Sequence, residues 1–478
     1  MNRAKRLYIL LGILAAVCIV TFAVSRYETR KEDIKASGEV VFTIDPDAVT
    51  ALSWEQGSSS LAFSLSDGIW QYDDDAAFPV DADKIAERLD AFVDFAAAYV
   101  IDDVTDYAQY GLEDPECTVY ITTGEGTAAI ALGAYSTMDA QRYVSTGDGK
   151  VYLAVSDPME LFSTELSRMI KNDVTPDIDR ADCISFTGEN EYTVIYDGSG
   201  EESICADDVY FSDGRPLDTV RVEDYLRTIA SLGLSDYATY TADEDKLSFY
   251  GLDSPVLTVT LDYTDDDGAD KSFTLAVSKN AQELAAAEKN DEETAEIQAY
   301  ARVGDSAIVY KISSESYDSL VASGYDDLRH REIFTGDFFR GFFPDVTAIT
   351  AALDGETYSF ELRADEDSKK LLSDVENVWY YGEDKIDAAA LEDALVSLSA
   401  ESFTDEKPSG KCEIALTLTL DNERFPELDI ALYRHDGSSC IAVVDGETIG
   451  LVPRGEAVSL IEAVNAIVLG ASGDTSDS

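Results

Sequence analysis

A short signature returns along this chain at the distance of a whole domain. Tyr110-Gly111-Leu112-Glu113-Asp114-Pro115 recurs as Tyr250-Gly251-Leu252-Asp253-Ser254-Pro255, 140 residues later. That offset is too long for a solenoid repeat and fits a duplicated domain. A second marker occurs three times. Val80-Asp81, Leu217-Asp218 and Ile386-Asp387 each open an apolar pattern of helical period. Counting from the aspartate, apolar residues stand at +4, +8 and +11: Ile85, Leu89 and Phe92; Val222, Leu226 and Ile229; Leu391, Leu395 and Leu398. Those spacings put three side chains on one helix face. Asp81, Asp218 and Asp387 therefore read as structural helix caps rather than catalytic acids, each carboxylate accepting from N–H groups of the first turn. The apolar residue before each Asp and the one at +4 have the spacing of a hydrophobic staple.

Aromatic strand ends precede each helix: Trp70 with Tyr72, Tyr210-Phe211, and Trp379-Tyr380-Tyr381. Alternating strands follow, with Cys117, Val119 and Ile121; Leu257, Val259 and Leu261; and Cys412, Ile414, Leu416 and Leu418 on one face. Period-two alternation predicts sheets with one buried face. It also places Cys117, Leu257 and Cys412 at one core position. A second strand group, a later strand pair and a short helix close each copy. The expected fold class is α+β: three repeated modules, each an antiparallel sheet with a packed helix, after one N-terminal transmembrane helix. The boundaries read as 1–30 for the cytoplasmic tail and anchor, and 37–175, 176–335 and a divergent 336–470 for the modules. Residues 471–478 read as a disordered tail. An Ala/Glu/Lys-rich insertion, Asn280 to Gln298, reads as a surface helix or mobile loop.

The anchor rests on Arg3, Lys5 and Arg6 ahead of an uncharged apolar run from Leu7 to Val24. Eighteen helical residues reach about 27 Å, enough to cross a bilayer core. Arg26, Arg30, Lys31 and Lys35 nearly match the basic count on the near side. The short leading tail nevertheless makes an inside tail and an exported bulk the simplest topology. Cleavage near Ala23 and Ser25 is the competing reading. Cys18 is not expected to be lipidated, because Val17 stands where a small residue is needed. The expected location is the cell membrane, single-pass, with the bulk of the chain extracytoplasmic.

The chain carries 95 acidic and 35 basic residues, a net charge of −60. Such a surface repels nucleic acid, which excludes that class of partner. Six cysteines lack CxxC spacing, and His330 and His435 lie far from any Cys pair, so no zinc site and no cofactor is expected. Cys183 and Cys205 bracket a predicted strand pair, and a bridge and separate buried thiols both remain open. No GxSxG elbow, Walker loop, dinucleotide fingerprint or HExxH occurs. The runs Asp73-Asp74-Asp75 and Asp265-Asp266-Asp267-Gly268 invite a calcium reading. The second fails the EF-hand template at Tyr263 and Thr274, so solvated loops are expected.

Tyr110, Gly111, Leu112 and Pro115, with Tyr250, Gly251, Leu252 and Pro255, are the candidate ligand or interface turn. Their structural alternative is a turn between helix and meander, closed by glycine at positive φ. The third copy has Pro408-Ser409-Gly410 instead.

The set of Trp70, the helix from Asp81, the turn from Tyr110 to Pro115 and the Arg142-to-Tyr152 strand pair resembles the bacterial domain-of-unknown-function 4340 family. The resemblance covers residues 40–335 and, more faintly, 336–470. It implies an envelope protein associated with ABC-type transporters of the gliding-motility kind, and brings no catalytic residue with it. The expectation is a non-catalytic, membrane-anchored accessory or binding subunit of such a transporter or envelope complex. A carboxylate-dependent hydrolase of envelope polymers and a surface adhesin are the alternatives.

Overall fold

A computed structural model describes residues 38–188, 191–205, 207–290, 297–322, 324–334, 346–364 and 377–474. The apolar run 7–24 and Cys18 lie outside the described residues. Among the described residues, no helix is long and apolar enough to cross a membrane.

Three antiparallel sheets of nine strands follow one another along the chain. The first runs Glu39–Phe42, Phe95–Ile101, Val151–Ala154, Gln141–Ser145, Gly126–Ser136, Cys117–Thr123, Val49–Gln56, Ser59–Ser66, Ile69–Tyr72. The second, taken in the same direction, runs Tyr237–Thr239, Val309–Ile312, Ala299–Val303, Asp270–Lys279, Leu257–Thr264, Cys183–Gly188, Tyr192–Tyr196, Tyr210–Ser212, Arg215–Pro216. In the third, the order is Ser402–Phe403, Glu447–Pro453, Ser439–Val444, Glu427–Arg434, Cys412–Leu420, Val346–Leu353, Glu356–Ala364, Asn377–Tyr381, Asp384–Lys385. Eight positions are common to all three. The first sheet adds Glu39–Phe42 at one end, and the others add a two-residue strand at the opposite end.

The registers show how closely the copies repeat. Leu52 pairs with Ile121 on one side and Phe63 on the other. Ile184 pairs likewise with Leu261 and Val194, and Ile349 with Leu418 and Phe360. All nine are buried, as the strand alternation requires. The same register corrects one expectation. Cys117 faces Leu132, Leu257 faces Val277, and the third-copy residue facing the corresponding Leu432 is Ile414. Cys412 lies two residues earlier, beyond a register shift, and is half-buried. The third strand begins one residue pair sooner, so counting from its first apolar residue misplaces it by one period.

The helix faces fall as their spacing dictates. Ile85, Leu89 and Phe92 are buried around the helix Ala82–Asp90, Val222, Leu226 and Ile229 on Thr219–Ala230, and Leu391, Leu395 and Leu398 around Ala389–Val396. The closing helix of the third copy is not short. It runs Arg454–Asp474, burying Leu460 and Val464 in the third core, and passes residue 471, where the sequence reading ends the ordered chain. The insertion after Asn280 forms a helix, Ala281–Asn290, and residues 291–296 lie outside the described residues. Cys117, Cys183, Cys412 and Cys440 are free thiols, so no bridge joins Cys183 to Cys205.

The chain divides into two compact units. One takes the chain to Val174 together with Leu234–Asp243 and Ser306–Tyr310. The other takes Thr175–Gly233, Glu244–Asp305 and Lys311–Ser478.

Candidate functional site

The Tyr-Gly-Leu signature is a helix terminus. A single turn of 3-10 helix, Ala108–Tyr110, ends at Gly111, which adopts φ 66°. The Gly111 N–H donates to the Ala108 carbonyl at 3.0 Å and the Leu112 N–H to the Tyr107 carbonyl at 3.0 Å. In the second copy, the Gly251 N–H reaches Ser248 at 3.2 Å and the Leu252 N–H reaches Leu247 at 2.8 Å. This paired pattern is the Schellman closure, in which a residue at positive φ lets two orphan carbonyls be satisfied at once. Leu112 and Leu252 are both buried beside it. Tyr110 packs on Tyr143 at 5.0 Å and Tyr250 on Tyr300 at 4.5 Å, two tyrosines at one register position of their sheets. Pro115 and Pro255 are half-buried just ahead of the strands that begin at Cys117 and Leu257.

A buried cation accompanies the first turn. Arg142 donates to Asp157 at 2.8 Å, to Glu116 at 2.8 Å and to the Gly133 carbonyl. Gly133 in turn lies against Tyr110 and Leu112. Burial works against the charge of Arg142, but its two carboxylates raise its pKa overall. Ala299 takes its place in the second copy, so this ion cluster is not repeated there.

The three aspartates stand at helix starts. Asp81 accepts from the Asp83 N–H at 3.1 Å, and Asp218 from Val220 at 3.1 Å and Arg221 at 3.3 Å. Asp387 accepts from Ala389 at 3.0 Å. The third helix starts one residue later, with Ala388 as its boundary residue, so Asp387 stands one position before the cap while keeping the two-residue reach.

The acidic runs are tied down by their own surroundings. Asp73 accepts from Ser64, Asp74 from Tyr72 and Asp75 from Tyr240. Asp265 accepts from the N–H groups of Asp267 and Ala269.

Sequence reasoning missed a titratable network at a cleft. A cleft of about 440 Å³ opens in the second unit, lined by Ile204, Arg215, Tyr325, His330, Phe425 and Ile449 among others. His330 Nε2 lies 2.9 Å from Asp208 Oδ1, and Asp208 Oδ2 accepts from Ser203 Oγ at 2.7 Å. Asp208 is buried. Burial opposes charge on His330, but the hydrogen bond and charge of Asp208, with Asp218 and Glu332 beyond, raise its pKa above the ordinary 6.5. Asp208 separates serine from imidazole, so the serine hydroxyl meets a carboxylate rather than the base that nucleophilic catalysis needs. Asp218, His330 and Glu332 bring one ligand-type atom each within 4.8 Å. Asp218, however, is occupied as a cap, and its second oxygen meets Arg221 Nε at 3.0 Å. The guanidinium already supplies the cation there. His330 and Asp208 are 122 residues apart, and neither lies in a motif.

A family model described as Domain of unknown function (DUF4340) matches residues 70–255 and 212–413. The chain belongs to this family. The two matches begin in corresponding strands, at Trp70 and two register positions further on at Ser212, and end at Pro255 and Glu413, by the opening strand of the next meander. The DUF4340 unit thus starts inside one sheet and finishes inside the next. No curated protein and no solved structure matches the chain.

Proposed function

We propose that this DUF4340 protein is a non-catalytic, membrane-anchored extracytoplasmic protein, an accessory or binding subunit of an ABC-type transporter or envelope complex. One observation carries the reading. The features that recur between copies, namely the Asp caps, the Schellman turns and the paired core positions, are all spent on holding sheets together. What differs between copies is the strand added at the sheet ends and the surface loops. A repeated scaffold with varied edges suits recognition, since function resides in sites grafted on a fold rather than in the fold. The apolar run 7–24 supplies the anchor, and a net charge of −60 directs partner choice toward proteins rather than nucleic acid. Affinity capture of the full chain from detergent-solubilised membranes tests this. ABC-transporter subunits are expected in the eluate. Recovery of the chain alone, under conditions that keep a known membrane complex intact, counts against the proposal.

A further inference from the structure

The three sheets differ at one end, and the difference has a cause in the sequence. Trp70, Tyr210 and Trp379 occupy one register position, as do Tyr72, Ser212 and Tyr381. From Ser212 to Asp218 and from Tyr381 to Asp387 the chain advances six residues, but from Tyr72 to Asp81 it advances nine. In the second and third copies the short connection folds back as an extra strand. The residue before the Asp seals it, with Leu217 N–H donating to Tyr210 at 2.8 Å and Ile386 N–H to Trp379 at 2.9 Å. In the first copy the fold-back starts in the same register, the Asp75 N–H donating to the Tyr72 carbonyl at 3.2 Å, but the longer connection then leaves the strand. Pro79, Val80 and Asp81 pair instead with residues 169–171. Among the described residues, the Trp70 carbonyl receives no backbone donor from this connection.

A groove of about 460 Å³ is left between the strand Ile69–Tyr72 and the segment Ala76–Val80. Ile69 is 65% exposed at its mouth and Phe78 is buried at its wall. Ahead of the Tyr72–Asp75 bridge the edge at Ile69–Gln71 stays open, and an open, apolar strand edge is a template for another strand that natural sheets normally cover or charge. Two copies here cover it with their own chain. We infer that the groove accepts an extended segment of a partner protein, which adds to the first sheet along Ile69–Gln71, beside the Tyr72–Asp75 bridge, where the other copies continue their own strand. Charge selects the segment. No Lys or Arg pairs with Asp73, Asp74 or Asp75 among the described residues, each of which accepts only a neutral hydroxyl or an N–H group. Lys171 stands on the opposite wall. Antiparallel addition, the mode used throughout the sheet, brings the start of the incoming strand beside the three aspartates. The partner segment therefore carries Lys or Arg just before about four residues that alternate apolar and polar. This holds whether or not the partner belongs to a transporter.

The test is selection of a random dodecapeptide phage library on the full chain in detergent, followed by binding of the synthetic consensus peptide. Enrichment of a basic cluster followed by alternating apolar residues is expected. Its affinity should fall at least tenfold when Asp73–Val80 is replaced by the sequence of residues 213–217, which closes the edge. The exposed substitution Ile69→Lys, which leaves the core untouched, should produce the same loss. Replacing all three aspartates by Asn should weaken binding and flatten its salt dependence. Failure to enrich such a pattern overturns the inference, as does unchanged affinity in both edge variants when both are folded by circular dichroism. Concentration-dependent dimerisation abolished by Ile69→Lys also overturns it, since the edge would then serve a second copy of this chain.

Discussion

At the residue scale, the side chain whose state matters most is His330, because its charge is set by groups brought from distant parts of the sequence. Its partner Asp208 is buried and shares its second oxygen with Ser203. Asp218 and Glu332 add negative charge nearby, while Arg221 and Arg329 supply the cations of the neighbourhood. Because the folded pKa is raised, protonated His330 favours the native state. That contribution is complete below the unfolded value near 6.5 and disappears as pH rises through the folded value. With His330 and His435 the chain's two histidines, proton NMR resolves the matter. In a His435→Gln chain the remaining imidazole should titrate above the ordinary value, and Asp208→Asn should move it down. A titration at or below the ordinary value in the parent chain would show that burial outweighs Asp208. None of this is readable from the sequence, because no local pattern marks two residues 122 apart as neighbours.

The recurring elements are where sequence and structure agree most closely, and the reason is that their determinants are local. A capping aspartate and apolar residues at +4, +8 and +11 act within three turns of one helix, and each such residue is buried in every copy. The Tyr-Gly-Leu turn is local too, and Gly111 shows what it requires. Its φ of 66° is costly for any residue with a Cβ, and a Cβ there would lie 2.8 Å from the Ala134 nitrogen, a backbone atom that cannot swing away. Gly57 has a similar φ of 56° with nothing within 4 Å. Gly57→Ala should therefore cost about 1 kcal/mol, the conformational penalty alone, and Gly111→Ala clearly more. Urea unfolding of the two variants compares them directly, and equal losses would mean that the close approach to Ala134 is relieved by a shift of the turn. Strand register was harder to read. Period-two alternation has no origin, so it aligns Cys412 with Cys117, whereas the pairings place Ile414 there. The open edge at Ile69–Gln71 is equally hidden, since three additional residues do not announce where the chain will go.

For the molecule as a whole, the second unit joins the third sheet to most of the second through residues that belong to both. Ile333 and Phe334 sit in the third sheet's core, with Ile204 packed against it. The connecting segment is held by backbone bonds, Ile333 N–H to Leu398 at 2.9 Å and Ala400 N–H to the Arg331 carbonyl at 2.7 Å. Arg329 lies over the Phe403 ring at 4.0 Å and donates to the Ile449 carbonyl at 3.2 Å. The exposed pairs Arg215–Glu447 and Arg424–Glu201 add little, since solvent screens them. Burial does most of the work, because each large apolar side chain removed from water contributes about 1.5–3 kcal/mol. A chain ending at Phe334 would leave Ile204, Ile333 and Phe334 facing water while the segments that form the second sheet remain intact. Set against the roughly 5–15 kcal/mol that stabilises a typical domain, that loss is large. Hydrogen exchange should therefore show the helix Thr219–Ala230 losing protection in the truncated chain, although every residue of that helix and of its sheet is still present. Protection equal to that of the full chain would mean that the second sheet folds without the third, and that the segment from Arg329 to Phe334 is a tether rather than a shared part of the core.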